Sequence, residues 1–447
     1  MRSGHTGAIF KRYLCALRVV AGLVQTPPLE RTAMLRNATT VSSEVRTTDL
    51  ISLGVIAKTF RREQIDRILA ETGRNSKRQR SLPAHVVMYY VIALALFMDA
   101  SYGEVLRCLL EGIRWFGGSN TDIPVAAKSS ISEARTKLGW EPVKKLHDEV
   151  VAPIATIETR GAYYRGRKLV SLDGSTLDVA DTEENENEFG RPSASRGTSA
   201  YPQIRFVSLV ENGTHVLFGS ELGPCKGKGT GESTLAKKVL VHLKPGMLCL
   251  ADRLFYSYEL WKQAKETNAD LLWRVKNDLR LPREQELPDG SYLSTVYPSQ
   301  KDKRHKINGI VVRVMEYTLD GIPDAEPLYR LITTILDPEQ APAVELAALY
   351  HDRWEIENSL GELKTRLRGA GVVLRSKTPN LVRQEFYGLM MAHFSVRGLM
   401  HEAALRADKD PDELSFLHAV RVVRRKLPMM VAFPPSGFNT ISQQCAR

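Results

Sequence analysis

The hydrophobic period of the chain changes at Lys168, and no other feature limits its fold as much. From residue 49 to 160 apolar side chains recur at helical spacing. Phe60–Thr72 is amphipathic there, and an apolar segment from Pro83 through Asp99 fits a buried helix. Lys168–Leu177 reads as strand and turn, and Gln203–Val210 and His215–Leu222 read as two more strands, joined by a turn at Glu211-Asn-Gly. Asp181–Ser199, rich in acid, serine and glycine, reads as a loop. Ser233–His242 then reads as helix, Met247–Ala251 as a buried parallel strand, Tyr258–Thr267 as helix and Ala269–Lys276 as strand. Three strands followed by two helix–strand units predict an α/β core.

Residues 277–336 read as further strands and turns, Gly309–Tyr317 and Leu328–Thr334 among them, with no helical pattern. Glu345–Leu367 has leucines at helical spacing and no internal proline, so it reads as one helix. Pro379–Leu405 and Leu414–Leu427 follow as helices. The expected organisation is a weakly structured extension over 1–45 and a helical N-terminal domain over 46–160. The first part of the core follows over 161–276, then a β-rich insertion over 277–336. A helix completing the core spans 337–375, and a helical C-terminal region spans 376–447.

Lysine and arginine number 62 against 51 aspartates and glutamates, a formal net charge of +11 over 447 residues. That balance favours a polyanionic partner, nucleic acid ahead of a membrane surface. Arg61, Arg62, Arg67, Arg74, Lys128 and Arg135 help make 46–160 basic, which suits phosphate contact and marks it as a DNA-binding candidate; a solvated charged face is the plainer reading. Cys15, Cys108, Cys225, Cys249 and Cys445 are too scattered for a zinc site or a disulfide framework, which fits a reducing cytoplasm. No apolar run is long enough to span a bilayer, and Arg18 interrupts the apolar stretch that would otherwise resemble a signal peptide.

Asp173 and Asp252 each end an apolar strand, where the open edge of an α/β sheet gathers ligands. Glu357 lies on the Glu345–Leu367 helix. At about 100° per residue, Tyr350, Arg353, Glu357 and Lys364 fall at about 0°, 300°, 340° and 320°. They form one stripe of hydroxyl, guanidinium, carboxylate and ammonium, while Glu355 and Glu362 fall on the far side. Three converging acids repel one another unless a cation joins them. Hard oxygen ligands suit Mg²⁺ or Mn²⁺, and two such ions about 4 Å apart serve phosphodiester chemistry. Singly, each acid has a plainer reading: a turn residue before Gly174, a helix cap after a strand, a solvated helix carboxylate.

Leu172-Asp-Gly-Ser-Thr, Ala251-Asp-Arg-Leu-Phe-Tyr-Ser and Tyr350-x2-Arg353-x3-Glu357-x6-Lys364, in that order, resemble the DDE transposases of the insertion-sequence-4 group. The last run matches that group's Tyr-Arg-Glu-Lys signature at every offset, and the likeness extends over most of residues 49–430. The resemblance implies an α/β fold with an RNase H-like catalytic core and a β-strand insertion, flanked by helical N-terminal and C-terminal regions. It implies that Asp173, Asp252 and Glu357 are catalytic and hold Mg²⁺ or Mn²⁺, and that Tyr350, Arg353 and Lys364 hold DNA phosphates near the cleaved bond. In the family a tryptophan of the insertion stacks on a flipped base; Tyr329 stands at the matching place here. The second motif reads Asp-Arg-Leu-Phe where Asp-Arg-Gly-Phe is commoner. The implied partners are double-stranded DNA, at element ends and target, and further copies of the chain on that DNA, with no membrane. The expected function is DNA transposition by metal-dependent cleavage and strand transfer. Two alternatives stand beside it: a decayed or domesticated transposase that only binds DNA, and a metal-dependent nuclease without strand transfer. A carboxylate-pair glycosidase leaves the arginine and lysine beside Glu357 unexplained.

Overall fold

The computed structural model describes residues 17–19, 53–76, 82–107, 109, 127–194, 197–198, 200–227, 229–319, 326–351, 355–369 and 371–431. Its strands are β1 (Leu17–Val19), β2 (Tyr163–Tyr164), β3 (Arg167–Asp178), β4 (Ser193–Ala194), β5 (Gly197–Thr198), β6 (Gln203–Glu211), β7 (Val216–Pro224), β8 (Met247–Ala251), β9 (Asp270–Arg274), β10 (Gln285–Glu286), β11 (Tyr292–Val296), β12 (Ile310–Leu319) and β13 (Tyr329–Thr333). All but β4 and β5 belong to one mixed sheet in the order β10-β11-β12-β13-β9-β8-β3-β6-β7, with β1 on β12 and β2 on β3.

Strands β3, β6 and β7 form an antiparallel meander, and β8 and β9 add to β3 in parallel. Three antiparallel strands continued by two parallel ones make the RNase H-like core. β8 is buried at every position, as a parallel strand covered on both faces must be. The insertion does not stand apart as its own layer. β13 pairs antiparallel with β9 at Ile332↔Trp273, and β12 and β11 follow, so the insertion lengthens the core sheet at its open edge.

Leu17–Val19, the described part of the 1–45 extension, pairs with Tyr317–Leu319 of β12, where that strand runs on past the end of β11 and leaves an open edge. Two expectations need correction. Asp181–Ser199, expected as a loop, holds the helix Glu183–Phe189 and the β4–β5 hairpin. Thr182 caps that helix by accepting from Asn185 N, and three glutamates favour its first turn. A short helix, Gln300–His305, capped by Ser299, lies where only strands and turns were expected.

The helices are α1 (Leu53–Thr59), α2 (Arg62–Glu71), α3 (Ala84–Leu96), α4 (Lys128–Leu138), α5 (Glu141–Val150), α6 (Glu183–Phe189), α7 (Glu232–Val239), α8 (Tyr258–Glu266), α9 (Gln300–His305), α10 (Ala343–His351), α11 (Glu355–Gly361), α12 (Pro379–Ala407) and α13 (Phe416–Val431). The apolar α3 is buried from Val86 to Leu96 and packs along α12. A Cβ at Gly388 would stand 2.6 Å from the Val91 carbonyl oxygen, so this approach of α12 to α3 requires glycine. On its other side α12 meets the sheet, with Phe386 and Phe206 ring centroids 5.3 Å apart. The N-terminal and C-terminal helical regions therefore share one apolar core with the sheet. Helices α7 and α8 cover the face bearing Cys249, Ala251 and Trp273; α10 covers the opposite face through Leu346 and Ala347 against Leu248, Leu250 and Leu331. Among the described residues no helix is long and apolar enough to cross a membrane.

Candidate active site

The parallel register brings the two aspartates together. Leu172 of β3 pairs with Ala251 of β8, and Ala251 pairs with Trp273 of β9. The next residues along are Asp173, Asp252 and Arg274, so two carboxylates and a guanidinium form a row level with the C-terminal ends of β8 and β9; Asp173 does not end its strand as expected, because β3 runs on through Gly174 to Asp178, paired with β6. β8 stops at Ala251 and the chain turns away, Phe255 N donating to the Asp252 carbonyl at 3.0 Å. The edge opened there is where parallel α/β sheets bind ligands. Asp173 and Asp252 are both half-buried, and Asp173 Oδ1 accepts from Gly174 N at 2.8 Å.

Helix α10 delivers Tyr350. Its packing on Leu248 and Leu250 points the buried tyrosine to the end of β8, where its hydroxyl donates to Asp252 Oδ1 at 3.3 Å. Helix α11 packs against β3 and carries Glu357, which is exposed. Lys364 Nζ donates to Ser175 Oγ at 3.0 Å, and Ser175, two residues beyond Asp173, lies on the same face of β3. Burial and then Arg368 hold the Lys364 ammonium below its ordinary pKa, with Asp178 opposing. Arg353 lies outside the described residues.

Two sequence expectations meet a different environment. The expected far-side Glu362 does not face solvent; it is buried and ion-paired with Arg397. The helical repeat alone places it opposite the sheet, but α12 and α13 occupy that side. Tyr329, the expected base-stacking residue, is half-buried with an engaged ring. It stacks on Tyr317 with centroids 5.3 Å apart, meets His351 edge-on, and carries the Arg274 guanidinium 4.6 Å from its centroid.

Four groups at the site, Arg253, Arg274, Glu326 and Glu232, were given no role by the sequence. Arg253 and Arg274 both pair with Glu326, the former at 2.9 Å. Burial works against the Arg274 charge, but Glu326, Tyr350 and Asp252 hold its pKa above the ordinary value. Glu232, first residue of α7, lies over Gly174, whose added Cβ would stand 3.0 Å from the Glu232 carboxyl carbon. Burial raises the Glu232 pKa, and the Asp173 charge adds to it against Arg205. Register, which only pairing decides, sets Arg274, one residue past Trp273, level with Asp252.

Residues 164–395 match a family profile described as the transposase DDE domain, over half of the chain. The chain belongs to the DDE transposases. Residues 50–148 match the insertion element 4 transposase N-terminal profile, which places the transposase in the insertion-sequence-4 family. It is similar to the transposase InsG for insertion sequence element IS4 of Escherichia coli (strain K12), 27% identical over 394 residues, covering 86% of this chain and 85% of the relative. It is also similar to the putative transposase InsZ of the same organism, 26% identical over 218 residues, covering 47% of this chain and 67% of that relative.

Among the described residues of the transposase no three His, Cys, Asp or Glu side chains are gathered closely enough to hold a metal ion. The donors that do stand side by side are the carboxylates of Asp173, within β3, and Asp252, just past the end of β8, and α11, which carries Glu357, packs against β3. An all-oxygen set of this kind fits a hard divalent cation.

Proposed function

We propose that this transposase cleaves the ends of an insertion element and transfers its strands in a reaction dependent on Mg²⁺ or Mn²⁺, with Asp173, Asp252 and Glu357 as the metal-holding carboxylates. The row of Asp173 and Asp252 on adjacent parallel strands, with Tyr350 bonded to Asp252, carries this reading. When bound, the divalent ion supplies Lewis-acid stabilisation of charge on the phosphoryl group. The chain's own residues position that chemistry. Tyr350 holds the Asp252 carboxylate in one orientation. Lys364, kept over β3 by Ser175, offers an ammonium to a phosphate beside Asp173, and Arg353 offers a bidentate fork from the same stretch of sequence. The partner is double-stranded DNA, first at the element end and then at the target, bound by a self-associated cytoplasmic protein.

The test uses duplex DNA carrying the element's own terminal repeat. Asp173→Asn, Asp252→Asn and Glu357→Gln each keep shape and remove a ligand charge, so each is expected to bind the duplex and to leave it uncut in Mg²⁺. Near-normal cleavage by any one of them removes that residue from the site. Binding without cleavage by the unaltered protein would favour a decayed, DNA-binding chain, and cleavage without joined products a nuclease.

A further inference from the structure

Glu362 lies five residues after Glu357 and two before Lys364. The chain between Glu362 and Leu367 is wound as a π-helix, with Arg368 N donating to the Leu363 carbonyl at 3.2 Å, five residues back. Such segments are rare and less favourable than α-helix, and they recur at functional sites. This one is gripped from two sides. Toward the sheet, Lys364 bonds Ser175. Away from it, Glu362 takes both donors of one guanidinium: Arg397 Nε gives to Oε2 at 2.9 Å and Nη2 to Oε1 at 2.6 Å. His215, from the β6–β7 turn, lies 3.7 Å from Oε1, and its other nitrogen is 2.9 Å from Asp412. His393 is 3.6 Å from Oε2, and Arg366 reaches Oε1 at 3.7 Å. Glu362, Arg397, His215 and His393 are all buried.

A buried ion pair adds little net stability over an apolar one of the same shape, but losing one partner leaves an uncompensated buried charge. Its effect here is on rotation. Rotating this segment by one residue would carry Glu362 off its fork and Lys364 off Ser175, and would turn with it α11, the helix that packs on β3 and carries Glu357. We propose that Glu362, acting through Arg397, is a positioning residue that sets the helix rotation at which Glu357 and Lys364 both address the strand of Asp173. This rests on the assignment of Asp173, Asp252 and Glu357 as the metal-holding set.

Two variants test it beside Glu357→Gln. The double variant Glu362→Met with Arg397→Met replaces the pair by apolar side chains, and Arg397→Lys keeps the charge without the bidentate fork. Thermal midpoint, affinity for the terminal-repeat duplex and the single-turnover cleavage rate at saturating duplex are measured for each. Both variants are expected to stay folded and to bind the duplex as the unaltered protein does. Their cleavage rate is expected to fall by about 10²-fold, the loss typical of an ångström-scale misplacement. A stable variant that cleaves at the unaltered rate overturns the proposal, and so does failure of both to fold, which would make the pair a requirement of the fold alone. If Glu357→Gln itself cleaves normally, it is the assignment of the site that fails.

Discussion

At the residue scale, each group near Asp173 and Asp252 is held by a neighbour that sets its direction. Lys364 is drawn to β3 by Ser175 and is partly desolvated, so its charge is placed rather than free to roam. Lys364→Ala is expected to weaken binding of the terminal-repeat duplex and to lower the slope of log affinity against log salt by about one unit. A slope unchanged between 50 and 200 mM salt, on the order used for such titrations, would remove Lys364 from phosphate contact. Tyr329 presents a different case, because its ring already stacks on Tyr317 and lies under Arg274. Loss of that ring by Tyr329→Ala is expected to lower stability by about 2 kcal/mol. Thermal denaturation decides: an unchanged midpoint with only the second-strand step slowed would mean that the ring serves DNA and not the aromatic cluster.

At the element scale, the Glu362 cluster joins the π-helical turn to α12 and to the β6–β7 turn. Burial and Arg397 push the His215 imidazole down, but Asp412 and Glu362 outweigh them and raise its pKa to about 9. Asp412, 2.9 Å from Nε2, and Glu362, 3.7 Å from Nδ1, face the ring and favour this protonated form, against Arg397 Nη2, which lies close to Nδ1. His393, beside them, is held down by burial despite Glu362. A folded-state pKa raised above the ordinary 6.5 stabilises the fold fully below that pH, and the contribution disappears as pH rises through about 9. On the order of 3 kcal/mol is at stake. Urea midpoints across this window are expected to fall for the unaltered protein and to stay flatter for His215→Gln. Equal slopes for the two proteins would show that His215 does not carry the change.

At the scale of the whole molecule, the helical regions at the two ends of the chain are one packing unit. Arg135 of α4 is buried and donates to Gln384 at 2.8 Å and to Ser376 at 3.0 Å, while α3 lies along α12. A chain starting at residue 151 would expose the α12 face that α3 and α5 cover, including Met391 and Tyr387. An apolar patch of that kind favours aggregation. We expect the shortened protein to be insoluble or to lack a cooperative thermal transition; a soluble, cooperatively folding product would show that the core stands without its N-terminal helices.

Local pattern alone determined much of this. The strands read at Lys168–Asp173, Gln203–Val210 and His215–Leu222 became the antiparallel meander, the first running on to Asp178 where a turn was expected, and the unbroken apolar run Met247–Ala251 became the central parallel strand. Both follow from side-chain period, a property of consecutive residues. The offsets from Tyr350 to Lys364 were equally legible, since spacing is local, but the even helical phase was not, because Glu362–Leu367 winds as a π-helix. What depended on contacts between distant segments was not. That the insertion continues the core sheet, that Leu17–Val19 completes an edge, and that Arg274 is level with Asp252 are facts of register, which pairing decides. Glu362 shows the limit most plainly. Helical phase placed it opposite the sheet and so, by the sequence alone, toward solvent. Only the packing of α12 against that side decided that it is a buried charge with Arg397 as its partner, because burial belongs to the neighbours a side chain meets and not to its own position in the helix.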